Sequence, residues 1–262
     1  HMSMQRDILV IEDERSVARA VVMVCEDEGL SVVTAGSAVE ALDILDRSNF
    51  RLALCDIMMQ GLDGFQFLEE LDRSGLNLPV IMMTGYSTME NAVKSLAMGA
   101  VDYIPKPFTA DELLTVIRRS FRSVMLREKA YTPRFERDRV LSFVPCPSEY
   151  YRLGYVSWVR MEDEGTARMG VSDLFLKSVE GVRAFELSVA GEQLVQGVPC
   201  ALATSSDGSQ HGIMCPMGGK ILEVNEEARS NPLLVEKDPF FRGWLYRILP
   251  SNPDNNLRWL KS

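Results

Sequence analysis

The chain has 262 residues, 46% hydrophobic and 25% charged, which is more than one average domain and excludes wholesale disorder. Its 28 Lys/Arg against 37 Asp/Glu give a net charge of −9, the wrong sign for a protein that coats nucleic acid, so no nucleic-acid partner is expected. Apolar runs such as Ala20–Cys25 and Leu78–Met83 fall far short of the roughly 18 residues a membrane helix needs, so no membrane partner is expected either.

The charge is unevenly placed. Residues 1–132 hold 13 basic against 20 acidic side chains, whereas residues 133–262 hold 15 against 17. The acidic half is therefore expected to take up something cationic. His1-Met2 reads as a cloning remnant, and no basic-then-apolar leader follows it, so a cytoplasmic protein is the expectation. Five cysteines (Cys25, Cys55, Cys146, Cys200, Cys215) without a C-x-x-C pair fit reduced thiols. With His1 set aside, His211 is the sole histidine, which leaves no Cys/His zinc cluster.

In chain order, Ile8–Ile11, Val32–Ala35, Leu52–Cys55, Val80–Met83 and Val101–Ile104 are short apolar runs bounded by polar or turn residues, the signature of buried parallel strands. Amphipathic stretches alternate with them: Val17–Glu28, Val39–Arg47, Phe65–Arg73, Met89–Met98 and Asp111 onward. Ser37 caps one of these, Thr109 with Glu112 three residues on has capping-box spacing, and Gly29, Gly75 and Gly99 close others. The pattern predicts an α/β, (βα)5 doubly wound parallel sheet with its site at the carboxyl ends of the strands. In the fifth helix Leu114, Ile117, Phe121 and Val124 recur at helical spacing toward Met125 and Tyr131 until Pro133, and Arg134–Arg139 reads as a solvated connector. From Val140 on, short segments (Val156–Arg160, Ala184–Val189, Lys220–Val224, Trp244–Leu249) separated by Gly, Pro, Asn and Asp predict a small β-rich domain, without a helix-turn-helix pattern.

Several side chains fall at predicted strand ends: Glu12 and Asp13 after the first strand, Asp56 after the third, Thr84 after the fourth and Lys106 after the fifth. Converging carboxylates repel unless a cation lies among them, and all-oxygen ligands suit a hard ion, Mg²⁺ or Mn²⁺. A carboxylate beside a metal, a hydroxyl and an ammonium is equipped to attack phosphorus and form an acyl phosphate.

The segments Ile8–Glu14, Cys55–Met59 with Gly61–Gly64, Val80–Gly85 and Gly99–Phe108 resemble the receiver domain of two-component response regulators over about residues 4–128. The resemblance implies that Asp56 accepts phosphate from a histidine kinase or phosphotransfer protein. It also implies that Glu12, Asp13 and Asp56 hold the metal with the backbone carbonyl of Met58. Thr84 and Lys106 would engage the phosphoryl oxygens, Tyr103 would swing inward afterwards, and the bond from Lys106 to Pro107 would be cis. Gln60 stands where the family usually has proline, which implies a looser peptide after Asp56 with no metal ligand lost. Bulky Met58 and Tyr86 flank the pocket mouth and are expected to hinder attacking water.

Val156–Arg160, Met169–Asp173, Asn225–Pro232, Glu236–Pro239 and Gly243–Leu245 resemble the H protein of the glycine cleavage system, a lipoyl-bearing β-domain, over roughly 148–255. That family carries lipoate on a hairpin lysine. The corresponding position here is Asp207 or Gly208, and no lysine occurs between Lys177 and Lys220, so no lipoate is expected. Asp207-Gly208 is a tight-turn signal instead. His211, Met214 and Cys215 near the hairpin are read as packing residues.

The expected organisation is a receiver at residues 4–128, a helical extension and linker at 129–145, and an H-protein-like β domain at 146–262. The expected function is a response regulator, not an enzyme beyond phosphotransfer to itself and its reversal. Phosphorylation would control a non-lipoylated output module that engages an unidentified protein, with a homodimer as a further partner. The rivals are a phosphorylation-controlled component of a lipoate-dependent or glycine-cleavage-type system and a DNA-binding transcription regulator.

Overall fold

A computed structural model describes residues 6–85, 89–131 and 143–262. Tyr86, Pro133 and Arg134–Arg139, discussed above, lie outside the described residues. The chain divides into two units, His1–Phe121 and Arg122–Ser262.

In the first unit β1 (Arg6–Ile11), β2 (Val32–Ala35), β3 (Phe50–Asp56), β4 (Val80–Thr84) and β5 (Asp102–Pro105) form one parallel sheet in the order β2-β1-β3-β4-β5. α1 (Arg15–Asp27), α2 (Ala38–Leu45), α3 (Gly64–Arg73), α4 (Met89–Ala97) and α5 (Ala110–Tyr131) alternate with the strands. The apolar runs are legible as strands because both faces of the sheet are covered. Leu9, Ile11, Ala53, Cys55, Val80 and Met82 share a core with Ala38, Ala41, Phe67 and Leu71, while Ile8, Val10, Leu52, Leu54, Ile81 and Met83 are equally buried.

The expected caps form. Ser37 Oγ accepts the Glu40 amide at 3.2 Å, and Thr109 and Glu112 bond reciprocally. Asp63 and Gln66 add a further capping box at the start of α3. Register then aligns the strand ends: Ile11 lies beside Cys55, Asp56 beside Met83, and Thr84 beside Pro105. Residues just past those ends are therefore gathered on one edge of the sheet.

The second unit is antiparallel. β6 (Tyr151–Leu153), β7 (Ser157–Met161), β8 (Ala167–Val171), β10 (Gln193–Leu194), β13 (Gly219–Val224) and β14 (Trp244–Pro250) make a six-stranded sheet ordered β10-β13-β14-β8-β7-β6. β9 (Val182–Leu187), β11 (Pro199–Ser205) and β12 (Gln210–Met214) make a second sheet ordered β12-β11-β9. Trp158 is its largest fully buried side chain; it packs with Tyr150 and Phe240 and donates its indole N–H to Val171 O at 3.0 Å. The sheets are tied by Tyr246 Oη donating to Cys200 O at 2.7 Å and Ser157 Oγ donating to Met214 O at 2.6 Å. The described helices after α5, namely α6 (Asp173–Ser178), α7 (Glu226–Ser230), α8 (Pro232–Lys237) and α9 (Pro253–Leu257), run to six residues at most. Among the described residues no helix is long and apolar enough to cross a membrane.

Candidate functional site

Four of the five strand ends deliver the site. Glu12 and Asp13 leave β1, Asp56 ends β3, Thr84 ends β4 and Lys106 follows β5. Glu12, Asp56 and Thr84 are buried, whereas Asp13 is exposed at the rim. Glu12, Asp13 and Asp56 each offer a carboxylate oxygen within 4.8 Å of the others.

Lys106 is the cation that this acidic pocket itself supplies. Its Nζ lies 2.5 Å from Glu12 Oε2 and 2.8 Å from Asp56 Oδ2. Burial works against the charge on Lys106, but its bonds to Asp56 and Glu12 hold the proton and raise its pKa. Glu12 sits above the ordinary carboxylate range: burial pushes it up, Lys106 opposes this, and the Asp56 charge adds to the rise. The pocket sets three carboxylates against one ammonium, which leaves negative charge for a second, harder cation.

The loop after β3 is held over the pocket. The Met58 amide donates to Asp56 Oδ1 at 3.2 Å, and the Ile57 amide to Met83 O at 2.8 Å. The Gln60 amide donates to Asp13 Oδ2 at 3.3 Å, a bond that the family's usual proline, lacking N–H, could not make. The Gln60 backbone thus tethers the loop to Asp13. Gly64 opens α3 directly against this loop, where a Cβ would meet Asp56 O at 2.5 Å and Ile57 Cα at 2.9 Å. Nothing but glycine fits there without displacing the backbone next to Asp56.

Thr84 is fully buried, and its carbonyl accepts the Lys106 amide at 2.7 Å. The Lys106–Pro107 bond is cis. Met58 is 56% exposed at the mouth. Tyr103 is half-buried on β5 against the sheet core, and burial pushes its phenol up to about 12.

Among known proteins, the family model "Response regulator receiver domain" matches residues 8–118, and "Glycine cleavage H-protein" matches residues 149–262. Residues 8–118 are a response regulator receiver domain, and residues 149–262 a glycine cleavage H-protein-like domain. The chain is 37% identical over 128 residues to the nitrogen assimilation regulatory protein NtrX of Azorhizobium caulinodans, a match covering 48% of this chain and 28% of that protein. The crystal structure of the NtrX receiver domain from Brucella abortus is similar at 39% identity, covering 44% of this chain and 98% of the other, with a TM-score of 0.42. A glycine cleavage system H protein from Mycobacterium marinum is similar at 24% identity, covering 40% and 86%, with a TM-score of 0.38. The matched segment thus spans little more than a quarter of the length of the Azorhizobium regulator.

In the H-protein-like domain, Asp207 and Gly208 form the tip joining β11 and β12. Asp207 Oδ1 accepts Ser205 Oγ at 2.6 Å and the Ser209 amide at 3.0 Å, and Gly208 takes a φ of +88°. The Ser205 hydroxyl and the Ser209 amide hold the Asp207 carboxyl down to about 2. His211 is buried, with Nε2 3.1 Å from Ser205 Oγ and its ring edge-on to Phe175. Lys220 lies on β13, paired with Gln193, away from the tip.

Proposed function

We propose that this chain is a phosphorylation-switched response regulator in which Asp56 is the phosphoacceptor. The observation that carries the reading is the convergence of Glu12, Asp13 and Asp56 within 4.8 Å, with Lys106 spanning Glu12 and Asp56. An Asp56 carboxylate oxygen forms a bond to phosphorus as the P–N bond of a donor phosphohistidine breaks, and the departing imidazole takes up a proton. The donor is a histidine kinase or phosphotransfer protein.

The donor set, three carboxylates with no sulfur or imidazole among them, fits a hard divalent ion, Mg²⁺ or Mn²⁺, held by Glu12, Asp13, Asp56 and the Met58 carbonyl. When bound, that ion supplies charge neutralisation for the transferring phosphoryl group. Lys106 supplies a point charge and Thr84 a hydroxyl to the phosphoryl oxygens, and Tyr103 repacks in response. The gain of roughly −1.5 to −2 charge units draws Thr84 and Lys106 inward and alters the surface of α4 and α5.

The receiver, taken as residues 4–128, controls through the extension at 129–145 an H-protein-like module at 146–262 that carries no lipoate. The altered α4–α5 surface changes self-association or the access of an output protein to that module. The support for a non-lipoylated module is the Asp207-Gly208 tip, which offers no amine for an amide link.

Incubation with a low-molecular-weight phosphodonor should add one phosphoryl group to the chain with magnesium and none after chelation. The Asp56→Asn variant should stay unmodified. Modification of that variant, or of the chelated protein, overturns the assignment.

A further inference from the structure

We propose that Cys200 and Cys215 form a dithiol that a two-electron oxidant closes into a disulfide, stapling the base of the β11–β12 hairpin. This goes beyond the switch proposed for the receiver and does not depend on it.

The two cysteines lie at the same end of the strand pair. Pro199 faces Met214, and Ala201 faces Ile213, so Cys200 is the extra residue of a bulge. The Cys215 amide donates to Val198 O at 2.9 Å, which continues the pairing past the bulge. Both side chains turn inward and are buried. Cys200 Sγ donates to Ile213 O at 3.4 Å, so it reaches the opposite strand two residues before Cys215. Cys200, displaced inward by the bulge, and Cys215 therefore lie across the strand pair from each other on its buried face. Antiparallel neighbours at this spacing are within the reach of a disulfide.

The surroundings give the staple a purpose. The Cys200 carbonyl accepts Tyr246 Oη, and the carbonyl of Met214, next to Cys215, accepts Ser157 Oγ. The hairpin base is thereby anchored to the six-stranded sheet at both strands, and a bond between the sulfurs would fuse the anchors. The chain between the cysteines carries the Asp207-Gly208 tip, so closure would stiffen the element that this fold uses as its exposed hairpin.

The step is balanced by a second disulfide. A thiolate of the pair attacks one sulfur of a small disulfide, which expels a thiolate; the partner thiol then loses its proton and displaces the other half. Two protein thiols become one disulfide as the oxidant becomes two thiols. The neighbouring Cys215 thiol, together with burial, holds the Cys200 thiol well above its ordinary pKa and so protonated at neutral pH, and closure waits on transient opening of the hairpin base rather than on direct attack.

The test uses the full chain. No Lys or Arg occurs between Arg183 and Lys220, so trypsin leaves both cysteines on one peptide, and cleavage before Asp207 separates them. Native protein treated with diamide, then unfolded and alkylated, should give a 184–220 peptide without alkyl groups. Its two Asp207-cleavage fragments should stay joined until reduced. Oxidation should raise the urea midpoint, and that shift should vanish in Cys200→Ser and in Cys215→Ser. Full alkylation of both cysteines after native treatment overturns the proposal. So does a link that forms only in the urea-unfolded chain.

Discussion

Replacing Lys106 with Met removes the ammonium from between two buried carboxylates and leaves their burial in place. Lys106 Nζ contacts Glu12 Oε2 and Asp56 Oδ2, whose side chains are 1% and 7% exposed. Removing one partner of a buried pair destabilises by about 3–5 kcal/mol, and because the lysine itself is 15% exposed the lower end, about 3 kcal/mol, is expected. The loss should depend on pH. Glu12 has a folded pKa above its ordinary 4.5, so its contribution is fully present below that value and is lost as pH rises through the raised one. Without Lys106 the Glu12 pKa rises further, so the deficit of Lys106→Met should be largest near neutral pH and shrink on acidification. Lys106 is held above its ordinary 10.5 in the folded chain; its share is therefore intact at neutral pH and lost only as pH rises through the raised value.

Urea unfolding of the chelated protein and of Lys106→Met at pH 7 and near pH 4.5 checks this. An ion that binds only the folded pocket, present at 100 times its dissociation constant, should return about 2.7 kcal/mol, so added magnesium should recover most of the deficit. A Lys106→Met variant as stable as the parent at pH 7 without divalent ions would refute the account of the pocket as an under-neutralised acidic cluster.

Gly64→Ala drives a Cβ to 2.5 Å from Asp56 O; overpacking of this kind should cost about 1–3 kcal/mol and slow phosphorylation of Asp56, and unchanged urea midpoints and labelling rates would remove the steric argument. Gln60→Pro deletes the N–H that reaches Asp13; a hydrogen bond of this kind contributes about 0.5–1.5 kcal/mol, so calorimetry should find magnesium affinity lowered by roughly 2- to 10-fold, and an equal or tighter affinity would contradict the tether. Met58→Asn replaces an exposed apolar side chain at the mouth with a polar one, so label should leave Asp56 faster than from the parent; equal rates would end the idea that Met58 hinders water. Incubation with a lipoate ligase should leave the intact mass unchanged, and a lipoyl adduct would restore the carrier reading for the H-protein-like domain.

The strands of the first unit are legible because each is an apolar run buried on both faces, so Ile8–Ile11 or Val80–Met83 needs no tertiary information to be read. The residues past their ends follow from topology alone. The links between them do not. Position at a strand end places Lys106 beside the acceptor, but its bridging of Glu12 and Asp56, 94 and 50 residues away in the chain, needs the folded sheet. The Gln60–Asp13 tether is a backbone bond and leaves no side-chain signature, although the missing proline was its one visible trace. Asp63 with Gln66 had the spacing of a capping box and could have been found.

In the second unit, β13 and β14 were read from their β-branched and aromatic residues, but β11 and β12 were not. Their sequences, Pro199–Ser205 and Gln210–Met214, hold only Thr204 and Ile213 as β-branched residues and no Phe, Tyr or Trp, so their own strand propensity is weak. They are strands because Tyr246 and Ser157 bond their carbonyls and because inward-facing Ala203 and Ile213 are buried. The tip follows the same logic. Asp207-Gly208 is readable as a turn from local chemistry, but the Ser205 hydroxyl that reaches the Asp207 carboxylate also lies against buried His211, a contact that depends on side chains brought together by the hairpin. A tip whose polar groups bond one another is a closed turn, physically unlike an arm carrying a reactive amine. Asp207→Lys would remove the carboxylate that accepts both the Ser205 hydroxyl and the Ser209 amide, and so undo the bonds that close the turn. Restoring a carrier here would require rebuilding the tip rather than changing one side chain.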